Sequence, residues 1–173
     1  MAGTSSRGNP SLGDIVRSVA VMGAIILVLW LVGRVFTVTP DEPPVSTVDY
    51  ASILPAAERE TGFDLLAPTS LPDGWRATSA RVRDGAWYLG VLTRDDDDFV
   101  GLTQAEGEEA DVVDDVAGPS DRDGTAELGG ATWTRWTVVD GGLAYSRQVD
   151  GTTAVVESSI DRGTLEAYVA SLS

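Results

Sequence analysis

"SLPDGWRATSARVRDGAWYLGVL", residues 70–92, decides the fold class. Pro72, Asp73 and Gly74 form a turn that delivers Trp75 into an extended run. Asp84-Gly85 then separates two stretches rich in Val, Thr, Trp and Tyr. An Asp-Gly pair supplies the positive φ values of a tight two-residue turn, so strands over 75–82 and 87–93 are predicted to pair as a hairpin. Trp75 is expected to anchor the start of the sheet against the first helix of the domain.

Outward from this hairpin the period-two pattern recurs. "FVGLTQ" (99–104) reads as a third strand. "EEADVVDDVAG" (108–118) changes period, with Val112, Val113 and Val116 at helical spacing and Gly118-Pro119 as the stop. The order then repeats. "TAEL", "ATWTRWTVV", "LAYSRQV" and "TTAVVESS" are four strands separated by glycine-containing turns. A last helix follows with Asp161 as N-cap and Leu165, Tyr168, Val169 and Leu172 as its apolar stripe. Upstream, "YASILPAAERETGF" reads as a helix, Pro55 suiting its first turn and Gly62 its C-terminal cap. The fold class expected is α+β: an N-terminal transmembrane helix, then an antiparallel-sheet sandwich of about seven strands with two or three covering helices. Three strands and a helix followed by four strands and a helix also suggests a duplication.

The N-terminus carries the strongest compositional signal. Ser18 to Gly33 is an uncharged run of 16 residues between Arg17 and Arg34. Both arginines can snorkel, which extends the span to residues 15–36, roughly 33 Å at about 1.5 Å per residue. No signal-peptidase site follows, since "RVFTVTPDEPP" places bulky residues where small ones belong. Arg7, Arg17 and the terminal amine precede the span, whereas Asp41 and Glu42 follow it, which orients the N-terminus inwards. The expected organisation is a cytoplasmic segment 1–14, a transmembrane helix 15–36, a proline-rich tether 37–49, and an extracytoplasmic domain 50–173.

Composition limits the chemistry. Of 173 residues, 12 are basic, all arginine, and 27 are acidic, for a net charge of −15. Residues 1–40 carry +2 and the rest −17, which disfavours nucleic acid as a partner. The chain has no Cys, His or Lys, so imidazole bases, thiolates, zinc sites of nitrogen or sulfur, and Schiff bases are all excluded. Paired carboxylates and oxygen-ligated cations remain. Asp95 to Asp98 fails as a calcium loop: Phe99 and Val100 stand where a ligand and the required glycine belong, and a solvated hairpin tip is expected instead. Asp121, Asp123 and Glu127 in "SDRDGTAEL" lack the loop spacing and read as a turn. Trp133 and Arg135 share one strand face with Trp136 on the other, and Trp87 and Tyr88 also point oppositely; one of each pair belongs to the core, and the other is expected beneath a covering helix, the alternative being an exposed patch that marks a partner site. No catalytic, cofactor-binding or metal residue is assigned, and no cofactor is expected.

The Arg-flanked span, the tether ending in "VDY", and "LPDGWRATSAR", "WYLGVLT" and "FVGLTQ" together resemble an actinobacterial family of single-pass membrane proteins known as a domain of unknown function. The resemblance covers nearly the whole chain and implies no activity. The "LPDGW" entry to a sheet also resembles photosystem-accessory α/β sandwiches and some bacterial cell-envelope lipoproteins, a fold-level analogy. The expectation is a non-catalytic binding or sensing module of the cell envelope, partnered by the lipid bilayer through residues 15–36 and by an envelope or membrane protein. The alternative is a carboxylate-dependent hydrolase of envelope glycans.

Overall fold

The structure, a computed structural model, describes residues 13, 16–17, 19–23, 25–26, 46–94, 98–139 and 141–173. The chain divides into two compact units, Met1–Pro44 and Val45–Ser173. In the first, the described residues between 13 and 26 are helical, and Val16, Val19, Val21, Met22, Ile25 and Ile26 are exposed. No helix among the described residues is long and apolar enough to cross a membrane. The remainder of the expected span 15–36, and tether residues 37–45, lie outside the described residues.

The second unit is α+β, as expected. Helix α1 (Tyr50–Thr61) precedes a meander of β1 (Arg76–Arg83), β2 (Ala86–Leu92) and β3 (Phe99–Glu106). Helix α2 (Glu109–Ala117) leads to a second meander of β4 (Ser120–Leu128), β5 (Ala131–Val138), β6 (Leu143–Val149) and β7 (Thr152–Ser158), and α3 (Arg162–Ala170) closes the chain. All seven strands join one antiparallel sheet in the order β1-β2-β3-β7-β6-β5-β4. Asp84 and Gly85 adopt φ of 53° and 79°, the doubly positive turn that their pairing demands.

The first sheet face carries the main core. Trp87, Leu89, Leu102, Trp133, Tyr145 and Val156 point into it and meet Leu165, Tyr168 and Val169 of α3, with Ile53, Leu54 and Ala57 of α1. Gln104 also points inwards, and its amide is satisfied. It donates to the Asp64 carbonyl (3.0 Å) and Thr152 Oγ1 (2.9 Å) and accepts from Leu66 N–H (2.8 Å), which ties the α1–β1 connection to the sheet. Among the described residues of this unit the second face has one helix. Val112 and Val113 of α2 pack on Ala144 and Val155, with Trp136 and Val138 at the margin.

Several local readings are corrected. Pro55 lies in the second turn of α1, because Asp49 caps the helix five residues earlier than the proline would if it opened it. "SDRDG" is no turn. It is the first half of β4, and a register shift between Arg122 and Thr125 with Gly124 at φ 96° makes it a bulge. Trp75, expected against the first helix, stacks on Tyr168 of α3, ring centroids 5.8 Å apart. The helices that follow β3 and β7 pack on opposite sheet faces. The repeated element order is therefore not repeated in space, since a two-fold normal to the sheet would put both on one side.

Candidate functional site

On the second face α2 packs over β7, β6 and β3 and leaves β1 and β2 uncovered. A groove of about 310 Å3 runs along that boundary. Register places its floor: Ser79 of β1 pairs with Gly90 of β2, Gly90 with Gly101 of β3, and Gly101 with Glu157 of β7. The next row out is Arg81, Tyr88 and Thr103, and Asp115 and Val116 of α2 form the opposite wall.

The two central glycines make room in the floor for the side chains that lie over them. A Cβ placed on Gly90 would lie 2.6 Å from Ser79 Oγ and 2.8 and 2.9 Å from Cε2 and Cζ of Phe99. On Gly101 it would lie 3.2 Å from both Glu157 Oε1 and Phe99 Cε1. The ring of Phe99 therefore lies across the glycine pair, and it remains 46% exposed although large and apolar. Beyond it a second cleft of about 340 Å3 is bordered by Ala117, Val138, Leu143 and Ser158, and it shares Phe99 and Glu157 with the first.

Glu157 is the one carboxylate in the floor. Its side chain makes no hydrogen bond or ion pair among the described residues, and burial raises its pKa above the usual carboxylate range. Arg81 is exposed and holds its guanidinium 5.7 Å from the centre of the Tyr88 ring, a cation–π contact at the outer rim. The wall opposite is held in place by a relay: Trp136 Nε1 donates to Ser146 Oγ (2.6 Å), which donates to Glu109 Oε1 (2.7 Å) at the first turn of α2. Ser146 is fully buried, so this polar link fixes where α2 sits on the sheet.

The aromatic pairs divide as their alternation requires. Trp87 and Trp133 are core, Trp133 with Arg147 5.6 Å above its ring, and Trp136 packs beneath α2. Tyr88, expected beneath a helix, instead stands at the open groove, because α2 does not extend that far. On the first face, Tyr145 donates to Glu166 Oε1 (2.7 Å), and burial together with that carboxylate pushes its phenol pKa up. Asp123 does not reach a metal-binding set. Its carboxylate meets Arg162 (3.3 Å) and Arg135 (3.7 Å), and it lies on an exposed bulge. Among the described residues no group of three or more acidic side chains is arranged to hold a metal ion. Asp95, Asp96 and Asp97 lie outside the described residues, whereas Asp98 closes the β2–β3 hairpin through its carbonyl to Thr93 N–H (3.0 Å).

Sequence reasoning missed Phe99, Gly90, Gly101, Arg81 and Glu157 as a set. The available signal was the glycine in the middle of each of two adjacent strands, which marks close approach of another group.

A family described as a protein of unknown function, DUF4245, matches residues 7–172. No curated protein and no solved structure matches the chain.

Proposed function

The chain belongs to this family of unknown function, and from that premise we propose that it is a membrane-anchored, extracytoplasmic, non-catalytic module that binds an envelope partner through the groove beside α2. The observation that carries the reading is the floor of that groove. Two paired strand glycines under an exposed phenylalanine, and a half-buried carboxylate without a partner among the described residues, line a groove open to solvent. Such groups cost stability, and an uncompensated cost is a mark of function.

The anchor rests on the uncharged run Ser18–Gly33 between two arginines, and the orientation on the arginines that precede it. The charge of −17 beyond residue 40 keeps the bulk of the chain away from an anionic membrane surface. The rival, a glycan hydrolase, needs two carboxylates about 5 to 9.5 Å apart across a cleft; Glu157 and Asp115 are the two that line this one.

The test is photo-crosslinking in intact cells from a probe residue placed at Tyr88 or at Phe99, with Thr137 on the other sheet face as control, followed by protease treatment of spheroplasts. Partner adducts from the groove positions alone, and removal of the domain by external protease, are expected. A protected domain refutes the orientation. Adducts equal at all three positions refute the groove, and cleavage of cell-wall material that is lost in Glu157→Gln refutes the non-catalytic reading.

A further inference from the structure

The groove has two compartments of different chemistry with a common divider. One sets Arg81, Asp115 and Glu157 beside apolar Leu89, Leu102 and Val116, the other is bordered by Ala117, Val138 and Leu143 with Ser158 and Ser159, and Phe99 and Glu157 line both. Two adjoining pockets, one of mixed and charged lining and one mainly apolar, suit an extended chain that presents unlike side chains in succession better than they suit a single small ion. The charge at the divider and on the helix wall is negative: among the described residues Glu157 lacks a counter-charge, Asp115 stands opposite, and the one cation lining either pocket, Arg81, is engaged with Tyr88 at the outer rim. An arginine or lysine of a ligand would lay its aliphatic stem along the Phe99 ring and bring its charged end to Glu157, exchanging an unpaired carboxylate for a charge-assisted hydrogen bond.

We propose that the groove takes an extended basic peptide segment of a partner protein, with a Lys or Arg side chain on Glu157 and an apolar side chain in the cleft beyond Phe99. This rests on the binding-module reading above and gives it a ligand class. The negative charge of the domain then serves to steer that segment towards the groove.

The experiment titrates the full chain in detergent micelles with a capped hexapeptide of alternating Lys and Val, by calorimetry and by NMR of the backbone amides. Expected are shifts centred on Gly90, Phe99, Gly101 and Glu157, and a loss of at least about tenfold in affinity for Glu157→Gln. Glu60→Gln, which removes an exposed charge on α1, should leave the affinity unchanged. Two controls share parts of the chemistry: the same peptide with Ser for Val, which keeps the charge and loses the apolar contact, and spermine, which carries charge without a peptide. Equal losses in the two variants would show diffuse charge attraction and overturn the proposal, as would spermine reproducing the peptide's affinity and shifts. A peptide of alternating Glu and Val that binds the same residues more tightly would overturn the basic ligand while leaving the binding module standing. Absence of groove adducts in cells would instead remove the module itself.

Discussion

Replacing Gly90 with alanine probes the groove floor directly, because the contacts that the new methyl would meet are known. Gly90 lies mid-strand without a positive φ, so alanine meets no backbone strain there, and the lost freedom of the unfolded chain would by itself stabilise the protein by about 0.4–1 kcal/mol. Against this stand Ser79 Oγ at 2.6 Å and two ring atoms of Phe99 at 2.8 and 2.9 Å. Forcing such contacts costs about 1–3 kcal/mol. The net expectation is a loss of about 1–2 kcal/mol, which for a domain of this size lowers Tm by roughly 3–8 °C.

Most of that loss should disappear when the ring is absent. In a Phe99→Ala background the two ring contacts are gone, and the Ser79 hydroxyl can turn away from the new Cβ. The double-mutant cycle, read by thermal and urea unfolding of the full chain, should return a coupling of about 1 kcal/mol or more. If Gly90→Ala costs the same with and without Phe99, the ring does not rest on the glycine pair, and the geometry of the groove floor is wrong.

Two further outcomes follow from the same structure. Burial raises the Glu157 pKa, so the fold prefers the protonated form; its contribution is fully present below the usual glutamate range, about pH 4, and is lost as pH rises through the raised value. Glu157→Gln should therefore raise Tm at neutral pH and have little effect near pH 4, with Asp115, Arg81 and Tyr88 as the titratable groups that share the groove, and a Tm difference independent of pH would contradict this. Trp75→Ala removes a half-buried indole stacked on Tyr168 and should cost about 2–3 kcal/mol, less than full burial would imply, with Trp75→Phe recovering part of it; an unchanged urea midpoint would show that the stack contributes nothing.

The features that could be read without the structure are those whose cause is local. Gly62 caps α1 at φ 81°, Asp161 caps α3 by accepting from Thr164 N–H at 3.1 Å, and Asp84-Gly85 turns the first hairpin; each depends on a few adjacent residues. Asp123-Gly124 was misread because a turn and a bulge draw on the same glycine conformation, and only the partner strand distinguishes them. Strand order was not legible at all. The β3–β7 pairing that joins the meanders connects residues about fifty positions apart, and nothing in either strand alone selects the other. The candidate site failed for the same reason. Its residues come from β1, β2, β3, β7 and α2, and Glu157 within "AVVESS" has the pattern of any strand end.

The position of the groove follows from the mismatch between one short helix and a wide sheet. Seven strands spaced about 4.8 Å apart span roughly 30 Å, and a helix with its side chains is about 10–12 Å across, or two to three strands. On the first face α1 and α3 share the width, and the segment 66–69 adds a bridge to the C-terminal residues through Pro68 and Leu172. On the second face α2, with nine residues, is the one helix among the described residues of this unit. It could cover either half. The Trp136–Ser146–Glu109 relay links its first turn to β5 and β6, so the exposed half is the one that carries β1 and β2. Had that half been apolar, it would have been a site of aggregation. It presents Ser79, Arg81 and Tyr88 instead, with glycines where the helix edge meets the sheet. A polar, stepped surface beside a pinned helix is stable when empty and still offers a ligand one wall, one floor and one unpaired charge.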